Sequence, residues 1–379
     1  KWPFSTFNMA YADIGGNIGW QFVGDVPVRT NEPGSAPMHG ILPGPASNNW
    51  ELKYISHTDL PSRYNPDNGV IATANNRPTQ KSDLQLGHDW MDGYRISRIV
   101  DQLTKKNNWD IQSCMELQLD KTSLPWFELS QFISRLELTS REAILGKTLL
   151  ENWDGIVDKS SIAASVFEGF MSKMCLAVAK NLAPYSYQTA MGKGFNPLVP
   201  ITFFASQRIS HLVSNLLNQT DGWFQNSSWK EEVEKALEET IKELTSRYGR
   251  KTSSWQWGSI RPLTINHPLG TKKPLDRIFN HGPFEWGGDS NTVSQAASHP
   301  WDPFSRITTI ASMRTVIDVG EWDNSRFILP SGQSGNPVSI HYEDMTNLWL
   351  KGDGVPIHWT KKSVETCGRH NLLLRPSTI

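Results

Sequence analysis

Apolar side chains recur at every second position on both sides of a glycine-rich break near the start of the chain. Phe7, Met9 and Tyr11 precede Gly15-Gly16, and Ile18 and Trp20 follow it. A period of two flanking a glycine turn predicts a β-hairpin across residues 4–24. Residues 25–69 are dense in Pro, Gly and Asn and predict an ordered wrapping loop rather than long regular elements. The run Val70-Ile71-Ala72-Thr73-Ala74, bounded by Gly69 and Asn75-Asn76, predicts a short buried strand.

The period then changes to that of helices. Ile96, Ile99, Val100 and Leu103 fall on one face of a helix over 94–106. Segments 109–121, 140–153 and 161–181 read the same way, the last through Ile162, Val166, Phe170 and Met174. The sharpest prediction is a helix after Ser228. Ser228 and Glu231 form a capping box, Val233, Leu237, Ile241 and Leu244 make the buried stripe, and Gly249 ends it.

Beyond Gly249, short β-branched runs such as 308–310 and 315–319 alternate with Gly/Asn/Ser turns. The order is therefore β and ordered loops over 1–92, mainly helix over 93–250, and β and loops over 251–379. This order predicts an α+β fold, one intertwined unit over 1–379 with helices packed on sheets and the terminal strands in one sheet. There is no internal repeat.

Composition changes this picture little. With 37 Lys+Arg against 38 Asp+Glu, the chain has no field favouring nucleic acid or an anionic membrane. No apolar run reads as a bilayer span. The three cysteines, Cys114, Cys175 and Cys367, lack metal-type spacing, and at most one pair can bridge. Sequons at Asn218 and Asn226 suggest a glycoprotein in a periplasmic, extracellular or lumenal setting.

Few residues stand out as chemistry. Gly332-Gln333-Ser334-Gly335 departs from the nucleophile-elbow spacing and is followed by Pro337, so it reads as a tight turn. His341-Tyr342-Glu343-Asp344 carries acid–base groups, but adjacent positions do not suit metal ligation on a helix. A helix start with acidic residues in its first turn explains them. Asn75-Asn76 follows the 70–74 run. An asparagine NH2 there could donate to a developing oxyanion, or the pair could simply turn the chain.

Taken in order, these segments resemble the penicillin-acylase family of N-terminal-nucleophile hydrolases, in the carboxy-terminal portion of the large subunit. The resemblance is carried by Tyr11-Ala12-Asp13, Gly16-Asn17-Ile18-Gly19, Gly24, Pro27-Val28-Arg29, Leu60-Pro61 and Tyr64-Asn65-Pro66. It continues through Ala74-Asn75-Asn76, Tyr94-Arg95-Ile96, Trp153-Asp154-Gly155, Arg247-Tyr248-Gly249 and His341-Tyr342-Glu343-Asp344.

The resemblance implies part of a four-layer αββα sandwich with a large helical insertion, and hydrolysis of the acyl–amine bond of an N-acylated small molecule. It implies a serine nucleophile at the start of the large subunit, activated by its own α-amino group. Asn75 would hold the oxyanion, and Arg95 would lie close to the nucleophile. Asp83 would be one ligand of a structural calcium, and the chemistry would need no cofactor. The chain begins with Lys1, so that serine is expected from a companion chain or upstream segment that also carries the small subunit. The alternative expectation is an inactive scaffold that keeps the fold and binds a partner.

Overall fold

The computed structural model describes residues 2, 4–29, 50–79, 84, 86, 87, 90–196, 199–201 and 207–376. Strands β1 (Phe7–Ala12), β2 (Ile18–Val23), β3 (Pro27–Arg29), β4 (Trp50–Tyr54) and β5 (Ser62–Tyr64) come first. Helices follow: α1 (Tyr94–Thr104), α2 (Ile111–Leu117), α3 (Leu124–Ser134), α4 (Arg141–Glu151) and α5 (Ile162–Leu182). The single turn α6 (Tyr187–Ala190) leads to α7 (Ile209–Leu217) and α8 (Trp229–Tyr248). Beyond α8 the strands are short and separated by loops. The contacts group into two compact units, each drawing on three separated stretches: residues 1–107, 120–264 and 282–310 in one, and 108–119, 265–281 and 311–379 in the other.

The predicted hairpin forms in the first unit. β1 and β2 pair antiparallel from Phe7↔Val23 to Ala12↔Ile18, and β5 adds to β2. Asp13 builds the turn by accepting from the Gly15 and Asn17 N–H groups at 2.8 and 3.0 Å, while Gly16 supplies the φ of 80° that the turn needs. The Tyr11 hydroxyl and the Asn17 groups donating to it hold the Asp13 carboxyl at a pKa of about 2. Asn65 ties β5 to the turn, accepting from Ile18 N at 2.8 Å and donating to Asn17 Oδ1 at 2.8 Å.

The core of this unit is helical. α8 starts with the expected reciprocal box between Ser228 and Glu231, and Val233, Leu237, Ile241 and Leu244 are almost wholly buried. α5 crosses it closely because Gly169 carries no side chain. A Cβ there would lie 2.5 Å from Thr240 Cγ2 and 2.8 Å from Phe304. α5 corrects one expectation, since it is long and apolar enough to cross a bilayer. Yet Ala164, Val166, Phe167, Phe170 and Met174 are buried in one cluster with Leu237 and Ile241. Its apolarity belongs to the core of the helical layer.

Two further expectations are corrected. Residues 70–74 join no ladder among the described residues; at the end of the run the Ala74 main chain is bound by the side chains of Asn76 and Arg95. The terminal strands also do not share a sheet. β1, β2 and β5 form one, while Arg314–Val316, Arg326–Ile328 and Val355–Pro356 form another in the second unit. In the second unit the Arg314 guanidinium lies over the Trp349 ring at 4.6 Å and donates to the Trp349 carbonyl.

Candidate active site

The polypeptide around Asn75 is fastened from several sides. Ala74 is buried, and its N–H donates to Asn76 Oδ1 at 3.0 Å. Asn76 Nδ2 in turn donates to Arg77 O at 3.1 Å. Both polar ends of the Asn76 side chain are therefore spent on holding the turn. Asn75 sits at φ 60°, a left-handed conformation that asparagine tolerates better than most residues. Its carbonyl accepts from Met91 N at 2.9 Å.

Arg95 completes the clamp from the first turn of α1. One guanidinium nitrogen, Nη2, donates to Ala74 O at 2.8 Å and to Asn75 Oδ1 at 2.9 Å. The helix that presents it is anchored on either side. The Tyr94 hydroxyl donates to Glu128 at 3.0 Å, and Arg98 pairs with Asp120 at 2.6 Å. Burial depresses the Arg95 pKa, and the negative charge of Asp289 opposes that shift.

With Asn75 Oδ1 taken by Arg95, its NH2 is the free end of the amide. It has no acceptor among the described residues, and the residue is exposed. A fixed amide donor of this kind can stabilise negative charge that develops on an acyl carbonyl oxygen. The structure thus brings Asn75 and Arg95 together and separates Asn75 from Asn76 in what each can do. Beside the turn opens a cleft of about 860 Å3, lined by Leu60, Arg63, Ile71, Asn76, Arg77 and Ile96 among others. The apolar face of α1 looks into this cleft through Ile96 and Val100, which explains why that face is only half-buried.

A second cluster was not legible as a site. Glu168 of α5, Cys175, Trp257, Arg261, Asp289 and His299 surround a pocket of about 70 Å3. Arg261 is 1% exposed and donates to Ala296 O at 2.7 Å and Ser298 Oγ at 3.0 Å, with its guanidinium 4.1 Å above the Trp257 ring. Burial pushes the Glu168 carboxyl well above the usual range, and the adjoining Asp289 carboxyl, within hydrogen-bonding reach, adds to that shift while Arg261 opposes it. Burial likewise raises the Cys175 thiol to about 12. A lone glutamate on an otherwise apolar helical stretch was the available signal for this cluster.

The remaining candidates resolve as follows. Asp83 lies outside the described residues, and no group of three or more His, Cys, Asp or Glu among those described could hold a metal. Asn218 and Asn226 are exposed, with Asn218 Nδ2 donating to Ser214 O at 2.9 Å. No disulfide joins Cys114, Cys175 and Cys367.

Residues 331–335 form a bend, as expected, with Ser334 N donating to His341 O at 3.0 Å. Glu343 and Asp344 do not occupy a helical first turn, because the helix starts at Thr346. They pair instead with His281 at 2.8 Å and His341 at 2.7 Å.

The fold class this architecture defines is that of the N-terminal-nucleophile hydrolases. Its mixed helices and sheets match the thermostable penicillin G acylase of Alcaligenes faecalis with a TM-score of 0.65. That likeness covers 99% of this chain and 69% of the other at 20% identity. The chain belongs to the penicillin amidase family, whose profile matches residues 1–366. It is 28% identical over 381 residues to penicillin acylase 2 proenzyme of Pseudomonas sp. (strain SE83), covering 98% of this chain and 47% of that protein. It is 25% identical over 414 residues to acyl-homoserine lactone acylase QuiP of Pseudomonas aeruginosa, covering 98% of this chain and 46% of that protein. The chain thus spans about half the length of the curated relatives it matches.

Proposed function

We propose that this chain forms part of an amide hydrolase that cleaves the acyl–amine bond of an N-acylated small molecule. Asn75 Nδ2 donates to the oxyanion of the tetrahedral intermediate, and Arg95 fixes the amide by holding Oδ1. The nucleophile is an N-terminal serine supplied from outside residues 1–379, by a companion chain or segment. A structural calcium held in part by Asp83, and a periplasmic, extracellular or lumenal location with glycans on Asn218 and Asn226, belong to the same reading.

One observation carries the proposal: the 2.9 Å hydrogen bond from Arg95 to Asn75 Oδ1, which leaves the amide NH2 as an oriented donor. A residue that merely turned the chain would have no need of a partly buried guanidinium to set its amide. Kinship with a penicillin acylase and an acyl-homoserine lactone acylase supports the same chemistry. The test is steady-state kinetics of the complete assembly on chromogenic N-acyl amides, comparing wild type with Asn75→Ala. Equal turnover by the two proteins overturns the role given to Asn75, and an assembly inert towards every acyl amide overturns the amidase.

A further inference from the structure

Resting on that reading, we propose that Asp289 is a positioning residue for the site, its carboxylate the counter-charge that keeps the Arg95 guanidinium in place behind Asn75. The hydrogen bonds of Arg95 go to neutral oxygens, those of Ala74 and Asn75. It makes no ion pair with another of the described residues. A partly buried guanidinium without an opposite charge is costly, and the nearest acids along the chain are engaged elsewhere. Asp92 accepts from Ser210 N at 3.2 Å, Asp120 holds Arg98 at 2.6 Å, and Glu128 accepts from the Tyr94 hydroxyl at 3.0 Å. Asp289 is the acid whose charge bears on Arg95, acting against the depression of its pKa by burial.

The fold supplies the link. Arg95 and Arg98, three positions apart, share one side of α1, while Ile96 and Val100 look into the cleft. The Asp120 that holds Arg98 also accepts, through its carbonyl, from Ser294 N at 2.8 Å. Ser294 lies in the turn that Asp289 opens. That turn is rigid: Asp289 Oδ1 accepts from Asn291 N at 2.6 Å and Thr292 N at 2.7 Å, and Asp289 N donates to Thr292 Oγ1 at 2.9 Å. Its main chain is pinned as well, with Gly288 N donating to Val157 O at 2.7 Å and Ala296 N to Asp289 O at 2.9 Å.

The charge balance around Asp289 is spare. Glu168, whose carboxyl is held well above the usual range by burial and by Asp289, is an acid that donates to Asp289 and adds no charge. The donors of Arg261 go to Ala296 O, Ser298 Oγ and Gly288 O, all neutral. Cys175 and His299 line the same pocket, but burial raises the thiol to about 12 and depresses the imidazole, so neither is charged near neutral pH. One carboxylate therefore serves two guanidinia, and its loss would leave Arg95 free to withdraw from Asn75 Oδ1 towards water.

Asp289→Asn removes the charge but keeps the oxygen that builds the turn, and Asp289→Ser is a smaller variant that also keeps an acceptor. In the complete assembly, kcat on a chromogenic N-acyl amide should fall about tenfold or more, a share of the roughly 100-fold worth of one oxyanion donor, with KM within about twofold. A double-mutant cycle separates positioning from a merely structural role: in an Asn75→Ala background the same substitution should cost less than about threefold. Wild-type kcat in Asp289→Asn overturns the proposal, as does an equal fold loss in both backgrounds. Failure of both variants to assemble overturns it too, since the carboxylate would then serve folding. An assembly inert towards every acyl amide overturns the amidase instead, and crystal structures then decide on Asp289. Arg95 Nη2 bonded to Asn75 Oδ1 in wild type and displaced in Asp289→Asn supports the counter-charge, whereas an unmoved guanidinium overturns it.

Discussion

Arg95 and Asn75 meet through a single guanidinium nitrogen, 2.9 Å from Asn75 Oδ1 and 2.8 Å from the carbonyl of the preceding residue. The same nitrogen therefore fixes both the main chain of the turn and the direction of the side-chain amide. Asn75→Ala removes the donor and leaves the backbone clamp to Ala74. Turnover of the assembly should fall by roughly 100-fold or more, as on deleting one oxyanion donor. KM should change far less, because the donor acts on charge present only in the transition state. Asn76→Ala should give a smaller loss, and steady-state kinetics on one chromogenic amide distinguishes the two.

Arg95→Lys should reduce turnover by at least about tenfold, even with the positive charge retained. An ammonium on a flexible stem does not hold one nitrogen between both oxygens as the planar, pre-organised guanidinium does. Arg95→Met should be at least as damaging. Lysine activity equal to wild type would show that charge alone, not the clamp, is what matters at this position.

Gly169 sits where α5 meets α8. Gly169→Ala places a methyl carbon 2.5 Å from Thr240 Cγ2 and 2.8 Å from Phe304. Overpacking on this scale should cost about 1–3 kcal/mol, although alanine is the better helix former. The expected outcome is a lower Tm, with partial recovery in the Gly169→Ala, Thr240→Ser double variant. A Tm unchanged by Gly169→Ala would mean that the helices separate without cost.

Glu168 carries a pH dependence whose direction follows from its surroundings. Its folded pKa lies well above the ordinary glutamate value because burial and Asp289 both disfavour the charge, with Arg261 opposing them. The stability it contributes is complete below the unfolded pKa, near 4.3, and is lost as pH rises through the raised folded value. Glu168→Gln keeps the hydrogen-bonding shape without the titration. Tm measured from pH 5 to 9 should therefore decline less steeply with pH in Glu168→Gln than in wild type. Parallel curves would remove Glu168 from the alkaline limb.

Legibility in the sequence followed locality. The 229–248 helix, with its capping box, apolar stripe and terminal glycine, was readable because every determinant lies within about one turn of the residue it affects. The β1–β2 hairpin was readable for the same reason, through strict alternation around Gly15-Gly16. α3 and α7 were missed. Leu124–Ser134 mixes Pro125, Trp126, Phe127 and Phe132 on several faces, and only tertiary contacts decide which are buried. Residues 70–74 looked like a strand because apolarity predicts burial, whereas a strand also needs a neighbour.

At the site, the Asn-Asn pair was visible but its division of labour was not. That division depends on Arg95, which lies twenty positions away and comes within reach only when α1 docks. The Glu168–Asp289–Arg261 cluster joins three distant segments, and nothing in the spacing of these residues linked them.

The left-handed backbone at Asn75 also limits how this position can change over time. Single-nucleotide changes from an asparagine codon reach Asp, His, Tyr, Lys, Ser, Thr and Ile. Of these, Asp and His best tolerate a positive φ. Asp would set a negative charge against the oxyanion that the amide is proposed to hold, and the longer imidazole would carry its donor away from the place where Arg95 fixes the amide. Glycine suits the main chain but offers no donor and lies more than one nucleotide away. Conformation and chemistry thus filter substitutions independently, so asparagine here should be hard to leave by small mutational steps.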